Sequence, residues 1–144
     1  MPTTYKLFAP EASFRAFAPL IAAEFCGVDV DVSTDTSAAA KSPTGKLPIL
    51  ECAVVADDGD REVHIIFSSS AIAKYVAGLR GDAGLLGNGS VAEAAQVDFW
   101  VDFASQRLEL PSCVWFYPVA GYMPYNKQAY VFPRLFLMHS FEAF

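Results

Sequence analysis

Cysteine and histidine are scarce in this 144-residue chain. Cys26, Cys52 and Cys113 are the three cysteines, no Cys-x-x-Cys pair occurs, and His64 and His139 are the two histidines. That excludes a redox dithiol and a zinc knuckle. Three ordinary, partly buried thiols are expected, with no metal site. Positive charge is scarce too. Ten Lys and Arg face sixteen Asp and Glu, for a formal net charge of −6. With no cluster of basic residues, direct nucleic-acid binding is not expected. No apolar stretch reaches the roughly 18–20 residues that a membrane span needs. The start, "MPTTYKLFAPE", has no charged segment leading into an apolar one. A cytoplasmic location is the resulting expectation.

What the chain has is apolar bulk. Hydrophobic residues make up 53% of it, with twelve Phe, six Tyr and two Trp. That supports a core burying roughly 70% of the unfolded surface, and so many aromatics imply that some cover a surface facing a partner. "TYKLFA" (residues 4–9) alternates as a strand. Ser13 then stands to cap a helix with Phe14, Phe17, Ala18, Ile21 and Phe25 along one face and Gly27 at its end. Pro19 either kinks that helix or marks a late first turn. "VDVDV" (28–32) reads as a strand with one wet face, and residues 33–45 as turn-rich with a short, poorly formed helix. "LPILECAVV" (47–55), the turn "DDGD" (57–60) and "EVHIIF" (62–67) read as a hairpin. "SSSAIAKYVAG" reads as a capped helix ending at Gly78.

A helix between the first two strands implies a right-handed parallel crossover, and the hairpin then adds antiparallel strands. The expected fold is therefore an α/β thioredoxin-like domain over residues 1–80. A Gly-rich linker, 81–89, leads into a helical part over 90–144, opened by the capping box "SVAE". Its stripe of Val97, Trp100, Val101, Ala104 and Leu108, widened by Phe99 and Phe103, leaves a narrow polar face of Asp98, Asp102, Ser105 and Glu109, and Pro111 is expected to end the helix. A helix so broadly apolar needs packing on more than one side.

This layout, with "TGKLPILE" followed by "SSSAIAKYV", resembles the N-terminal half of cytosolic glutathione S-transferases. Those show a Gly-Lys-Val/Leu-Pro turn and then an acidic-Ser-x-Ala-Ile helix start. More specifically, "PEASFRAFAPLIAAEFCG" and "VDFASQRLELPSCVWFYPVAGYMPYNKQA" resemble the gamma-subunit family of the translation elongation factor 1 complex. The match covers most of residues 4–129. The resemblance implies the start of an all-helical glutathione S-transferase C-terminal domain after the linker. It also implies a scaffold role in protein synthesis: binding the nucleotide-exchange subunit of elongation factor 1 and, through it, serving elongation factor 1A. The alternative it carries is an active glutathione S-transferase or peroxidase, with glutathione or a related thiol as cosubstrate and no cofactor. Residues 130–144, "YVFPRLFLMHSFEAF", depart from the family. A truncated or frame-altered product is expected there, a genuine short form being the alternative. An incomplete helical half leaves apolar surface exposed, so association into a homodimer or aggregation is expected.

A thiol peptide has three needs. Its backbone pairs with a strand edge, its γ-glutamyl carboxylate suits helix N-terminal N–H groups, and its thiol requires a donor that favours the thiolate. The resemblance implies a cis bond at Pro48, so that Leu47 presents free N–H and C=O groups; the same bend also serves if it merely shapes the fold. Ser68 and Ser69 suit the carboxylate, or act as an ordinary helix cap. Lys41 or Lys46 would meet a terminal carboxylate, although Lys41 also reads as a solvated lysine. Ser13 is the candidate thiolate-stabilising hydroxyl, or else a helix cap. Tyr5 lies too early on the strand for that role, and Arg15 reads as an anchor of the first helix or of the domain boundary. Two residues oppose the chemistry: Ser68 replaces the family's acidic residue, and Glu11 brings a carboxylate that disfavours a thiolate.

Overall fold

The computed structural model describes residues 3–55 and 61–127, together with Val131, Leu137 and Met138. The "DDGD" turn and most of residues 130–144 lie outside the described residues. Four strands form one sheet in the order β2-β1-β3-β4: β1 Thr3–Phe8, β2 Asp31–Ser33, β3 Ile49–Val55 and β4 Arg61–Phe67. β1 runs parallel to β2, with Lys6 opposite Asp31, and antiparallel to β3, with Leu7 opposite Leu50. β3 and β4 are antiparallel, with Cys52 opposite His64. This is a mixed, thioredoxin-like sheet. The strand read at 28–32 is shorter and later than its alternation suggested: its pairing with β1 begins at Asp31 and ends at Ser33. Val28 and Val30 pack against the core without joining the ladder.

Alternation in β1 and β3 sorts side chains between two faces. Leu7, Leu50 and Cys52 meet α1 (Phe17–Cys26) and α2 (Ser69–Leu79) through Ala22, Ala23, Ile72 and Val76. On the opposite face Phe8 and Ile49 meet Ala38, which lies in a 3-10 helix spanning Thr36–Lys41. Leu7, Ile49, Leu50 and Ile72 are fully buried. Each such side chain contributes about 1.5–3 kcal/mol of transfer free energy.

The first helix faces the other way from the expectation. The large residues Phe14, Phe17, Ile21 and Phe25 are exposed, whereas Ala16, Pro19, Ala22, Ala23 and Cys26 are buried. The reason is volume. Ile72, Val76, Leu7 and Leu50 already fill the space beneath α1, and a close-packed interior has room left only for small side chains. Pro19 sits in the first turn of α1, where a missing N–H costs no intrahelical bond. Gly27 closes the helix at φ 60, and the Val28 N–H reaches back to the Ala23 carbonyl at 2.9 Å. Gly78 does not end α2, which runs on to Leu79 with Arg80 as its C-cap.

The chain divides into two compact units, Met1–Asn88 and Gly89–Phe144. In the second, α3 (Val91–Phe103) starts at Ser90, whose hydroxyl accepts from the Glu93 N–H at 3.2 Å. Pro111 does not terminate this helix. A π-helical stretch, Ala104–Glu109, leads directly into α4, Leu110–Phe116. Pro111 lies in the first turn of α4, and the wider preceding turn accommodates a residue that cannot donate to the helical ladder.

Candidate functional site

Strand register brings the candidate residues together. Phe8 pairs with Ile49, and Ile49 with Phe67, so the outgoing end of β1, the start of β3 and the outgoing end of β4 share one end of the sheet. Three short segments leave it: Ala9–Ser13, Leu47–Pro48 and Ser68–Ser70. The Leu47–Pro48 peptide bond is cis. The N–H and C=O of Leu47 take part in no hydrogen bond among the described residues.

One bond ties the last of these segments to the turn that follows the first. The Ser69 hydroxyl donates to the Arg15 carbonyl at 2.7 Å, fixing the N-terminus of α2 against the 3-10 turn Phe14–Ala16. Ser13 stands at the head of that turn, half-buried. It makes no side-chain cap bond, and its hydroxyl has no partner among the described residues. The expected capping role of Ser13 is therefore not one of its contacts. Ser68 occupies the N-cap position of α2, also without a side-chain cap bond, with its hydroxyl 3.3 Å from that of Ser70. Ser68 at φ 73 and Ala12 at φ 55 are the two non-glycine residues of positive φ among the described residues. Both lie at this end of the sheet, and backbone strain of that kind concentrates at functional sites.

The lysines lie differently. Lys41 ends the 3-10 helix on the far face of the sheet. It forms an ion pair with Glu51, and its ammonium lies 5.5 Å from the Phe8 ring centroid. Lys6 approaches the same ring at 5.4 Å. Lys46 is exposed and forms no ion pair among the described residues. The loop between them is ordered by Ser42. Its buried hydroxyl lies 3.0 Å from the Thr44 hydroxyl and accepts from the Thr44 N–H at 3.3 Å, while its carbonyl takes the Gly45 N–H at 3.0 Å. Glu11 is exposed beside Ala12.

Sequence reasoning missed four features. Ala12 carries no signal for positive φ, and no sequence rule joins Ser69 to the Arg15 carbonyl or Lys41 to Glu51. The fourth lies away from the sheet end, where the hydroxyl of half-buried Tyr75 hydrogen-bonds to the sulfur of fully buried Cys52. Burial pushes the Cys52 thiol up, an effect the tyrosine partly opposes. Burial first, and then the bond to Cys52, pushes Tyr75 up to about 12. A thiol held protonated in this way is not a nucleophile.

The sheet order, the helices on its face and the cis proline before β3 define the thioredoxin-like fold of glutathione S-transferases. The chain superposes on a mutant of poplar glutathione transferase F1 with a TM-score of 0.75 at 18% identity, covering 99% of this chain and 68% of that one. It superposes on glutathione S-transferase-I bound with lactoylglutathione with a TM-score of 0.71 at 25% identity, covering 97% of this chain and 68% of that one. No family model matches the chain. By sequence it is, more particularly, similar to elongation factor 1-gamma proteins. It is 40% identical over 119 residues to a probable elongation factor 1-gamma 1 of Arabidopsis thaliana, covering 76% of this chain and 26% of that protein. It is 38% identical over 135 residues to elongation factor 1-gamma of Artemia salina, covering 86% of this chain and 28% of that protein. The chain thus spans little more than a quarter of the length of these relatives. Among the described residues no helix is long and apolar enough to cross a membrane.

Proposed function

We propose that this chain is a glutathione S-transferase-like scaffold module of the elongation factor 1-gamma type. In this reading it works in the cytoplasm and binds the nucleotide-exchange subunit of elongation factor 1, and through that subunit serves elongation factor 1A. One observation carries the reading. The similarity to the Artemia salina protein covers 86% of the chain, too much to fit within either unit alone. A chain kept only for a thiol site would need the first unit, whereas this likeness extends into the α3–α4 segment of the second. The test is capture of purified exchange subunit by the tagged 144-residue chain. Binding that survives Ser13→Ala supports a scaffold whose partner surface lies elsewhere. No binding at micromolar concentrations by the folded chain overturns the reading.

A second reading, thiol-peptide transfer, is favoured by the unpartnered Ser13 hydroxyl beside the Ser68–Ser70 helix start. There, Leu47 would pair with the peptide backbone through its free main-chain groups. The N-terminus of α2, with the Ser68 hydroxyl, would hold a carboxylate, and the Ser69 hydroxyl, already donating to Arg15, would leave its main-chain N–H to serve. Lys46 is the loop's free cation, whereas Lys41 is engaged by Glu51. Glutathione or a related thiol is the cosubstrate this arrangement suits, and no cofactor enters the reading. Absence of glutathione binding by calorimetry removes it, without touching the scaffold reading.

A further inference from the structure

The chain has two asparagines. Asn88 is followed by Gly89, whereas Asn126 is followed by Lys127. That difference governs the reactivity of the side-chain amide. The main-chain nitrogen after an asparagine can attack the carboxamide carbon before it and close a five-membered ring. A Cβ on the attacking residue crowds this approach, and glycine has none. The structure leaves the reaction unopposed at Asn88. Asn88, Gly89 and Ser90 are all exposed, in the Gly-rich linker ahead of α3. The Gly89 N–H makes no hydrogen bond among the described residues. Gly89 has φ 89, and no atom beyond its chain neighbours lies within 4 Å of the place a Cβ would take. Neither a main-chain bond nor packing against Gly89 therefore holds its nitrogen back.

We propose that Asn88–Gly89 is a site of spontaneous covalent modification, deamidation through a cyclic imide. The Gly89 nitrogen, on losing its proton, forms a bond to the Asn88 side-chain carbonyl carbon. The bond from that carbon to the amide nitrogen breaks, and the nitrogen leaves as ammonia with the proton restored to it. Water then opens the imide at either of its two carbonyls. One opening gives aspartate, and the other gives iso-aspartate, in which the main chain runs through the side-chain carbon. One water is consumed and one ammonia released, and nothing is oxidised or reduced.

The product adds one negative charge to a chain of formal net charge −6. It does so two residues ahead of Ser90, whose hydroxyl caps α3 by accepting from the Glu93 N–H at 3.2 Å. A carboxylate there is near the positive end of the α3 dipole, a favourable place for it. The iso-aspartyl form also lengthens the main chain by one carbon just before that cap. Deamidation therefore changes both the charge and the length of the segment that leads into α3.

Ageing of the intact folded chain, followed by trypsin digestion and mass spectrometry, tests this. Cleavage after Arg80 and Arg107 isolates Asn88 on the peptide 81–107, and Asn126 falls on the peptide 108–127. Asp58–Gly59 can form the same imide but loses no ammonia, so the mass reading is blind to it. The expected result is the mass gain of an amide turned into an acid, on peptide 81–107, as two chromatographically separate isomers. Its rate should exceed that at Asn126 by at least about tenfold, rise with pH, and lie within about tenfold of the rate in the urea-unfolded chain. Gly89→Ala should slow it by at least about tenfold. Asn88→Gln, which keeps the glycine, should abolish it. Four outcomes overturn the proposal: no gain on peptide 81–107, a gain no faster than at Asn126, a gain that survives Asn88→Gln or ignores Gly89→Ala, or a folded chain slower than the unfolded one by more than this margin. The third would place the reaction at Gln96 or Gln106, and the fourth would mean that the folded linker protects Asn88.

Discussion

Raising the pH should destabilise the chain through Tyr75, and by a predictable amount. Tyr75 on α2 donates to the Cys52 sulfur on β3, and Cys52 is fully buried. Burial raises the Tyr75 hydroxyl from 10.0 to about 12. A folded-state value above the unfolded one means that the native state holds its proton more tightly. Stability from this group is therefore complete below about pH 10 and is lost as pH rises towards 12. Two units at about 1.36 kcal/mol each set an upper bound near 2.7 kcal/mol, about half of it lost by pH 11. Tyr75 is only partly covered, so water screens some of the penalty and about 1 kcal/mol by pH 11 is the expectation. Cys52, raised from 9.0 by burial, adds a loss of the same sign that begins lower. The assay is urea unfolding at pH 8 and pH 11 of the parent chain and of Tyr75→Phe. At pH 8 the variant should be about 1 kcal/mol weaker, having lost one hydrogen bond. Between the two pH values it should lose about 1 kcal/mol less than the parent, because it has no hydroxyl to ionise. Equal losses in the two proteins would refute the burial and pairing of Tyr75.

Ser69→Ala removes the hydroxyl that bonds the Arg15 carbonyl at 2.7 Å and should cost about 1 kcal/mol, read from the urea midpoint; an unchanged midpoint would mean that the bond does not hold α2 to the Phe14–Ala16 turn. Leu50→Ala opens a cavity at a fully buried position between β1, β4 and the helices and should cost about 3–5 kcal/mol. A cost under about 1 kcal/mol would contradict a close-packed core there. Lys41 and Glu51, with side chains 48% and 16% exposed, should show a coupling of at most about 1 kcal/mol in a double-mutant cycle with Lys41→Met and Glu51→Gln, falling as salt rises. A salt-independent coupling would indicate packing on Phe8 rather than charge.

Much of the first unit was legible because its signals are local. Alternation marked β1, the turn signal at residues 57–60 marked the hairpin of β3 and β4, a glycine marked the end of α1, and a Ser-x-x-Glu box marked the start of α3. The orientation of α1 was not legible, since both of its sides are apolar. A reading that ranks positions by hydrophobicity chooses Phe14, Phe17, Ile21 and Phe25 for the core, whereas packing chooses by volume and takes Ala16, Ala22, Ala23 and Cys26. Pro111 misled for a related reason: proline rules assume a continuous α-helical ladder, and the π-helical turn before it suspends that ladder. At the sheet end, the types and order of Ser13, Leu47, Pro48, Ser68 and Ser69 were visible in the sequence. The bond that holds Ser69 to the Arg15 carbonyl was not, since the two are 54 residues apart.

The two units owe their order to different physics. In the first, strands and helices converge on Leu7, Leu50, Ile72 and Val76, so removing any one of these exposes the others. In the second, Pro111 is the one buried residue among those described. The contacts of its helices include near-neighbour effects: the Ser90 cap, the Ser105 hydroxyl donating to the Asp102 carbonyl at 3.1 Å, and the Phe99, Trp100 and Phe103 rings packed edge-to-face or tilted at 5.3–6.2 Å between centroids. Interactions of that type contribute a few tenths to about 1 kcal/mol each, and helices of this length are marginal in water without a packed face. Unfolding of the chain should therefore report the first unit. Amide exchange should be fast along α3 and α4 and slow along β1, β3 and α2. A partner that protects the exposed Phe99, Trp100 and Phe116 would slow exchange in the second unit selectively. That makes exchange a direct way to ask whether the exchange subunit of elongation factor 1 docks on that helical face or elsewhere.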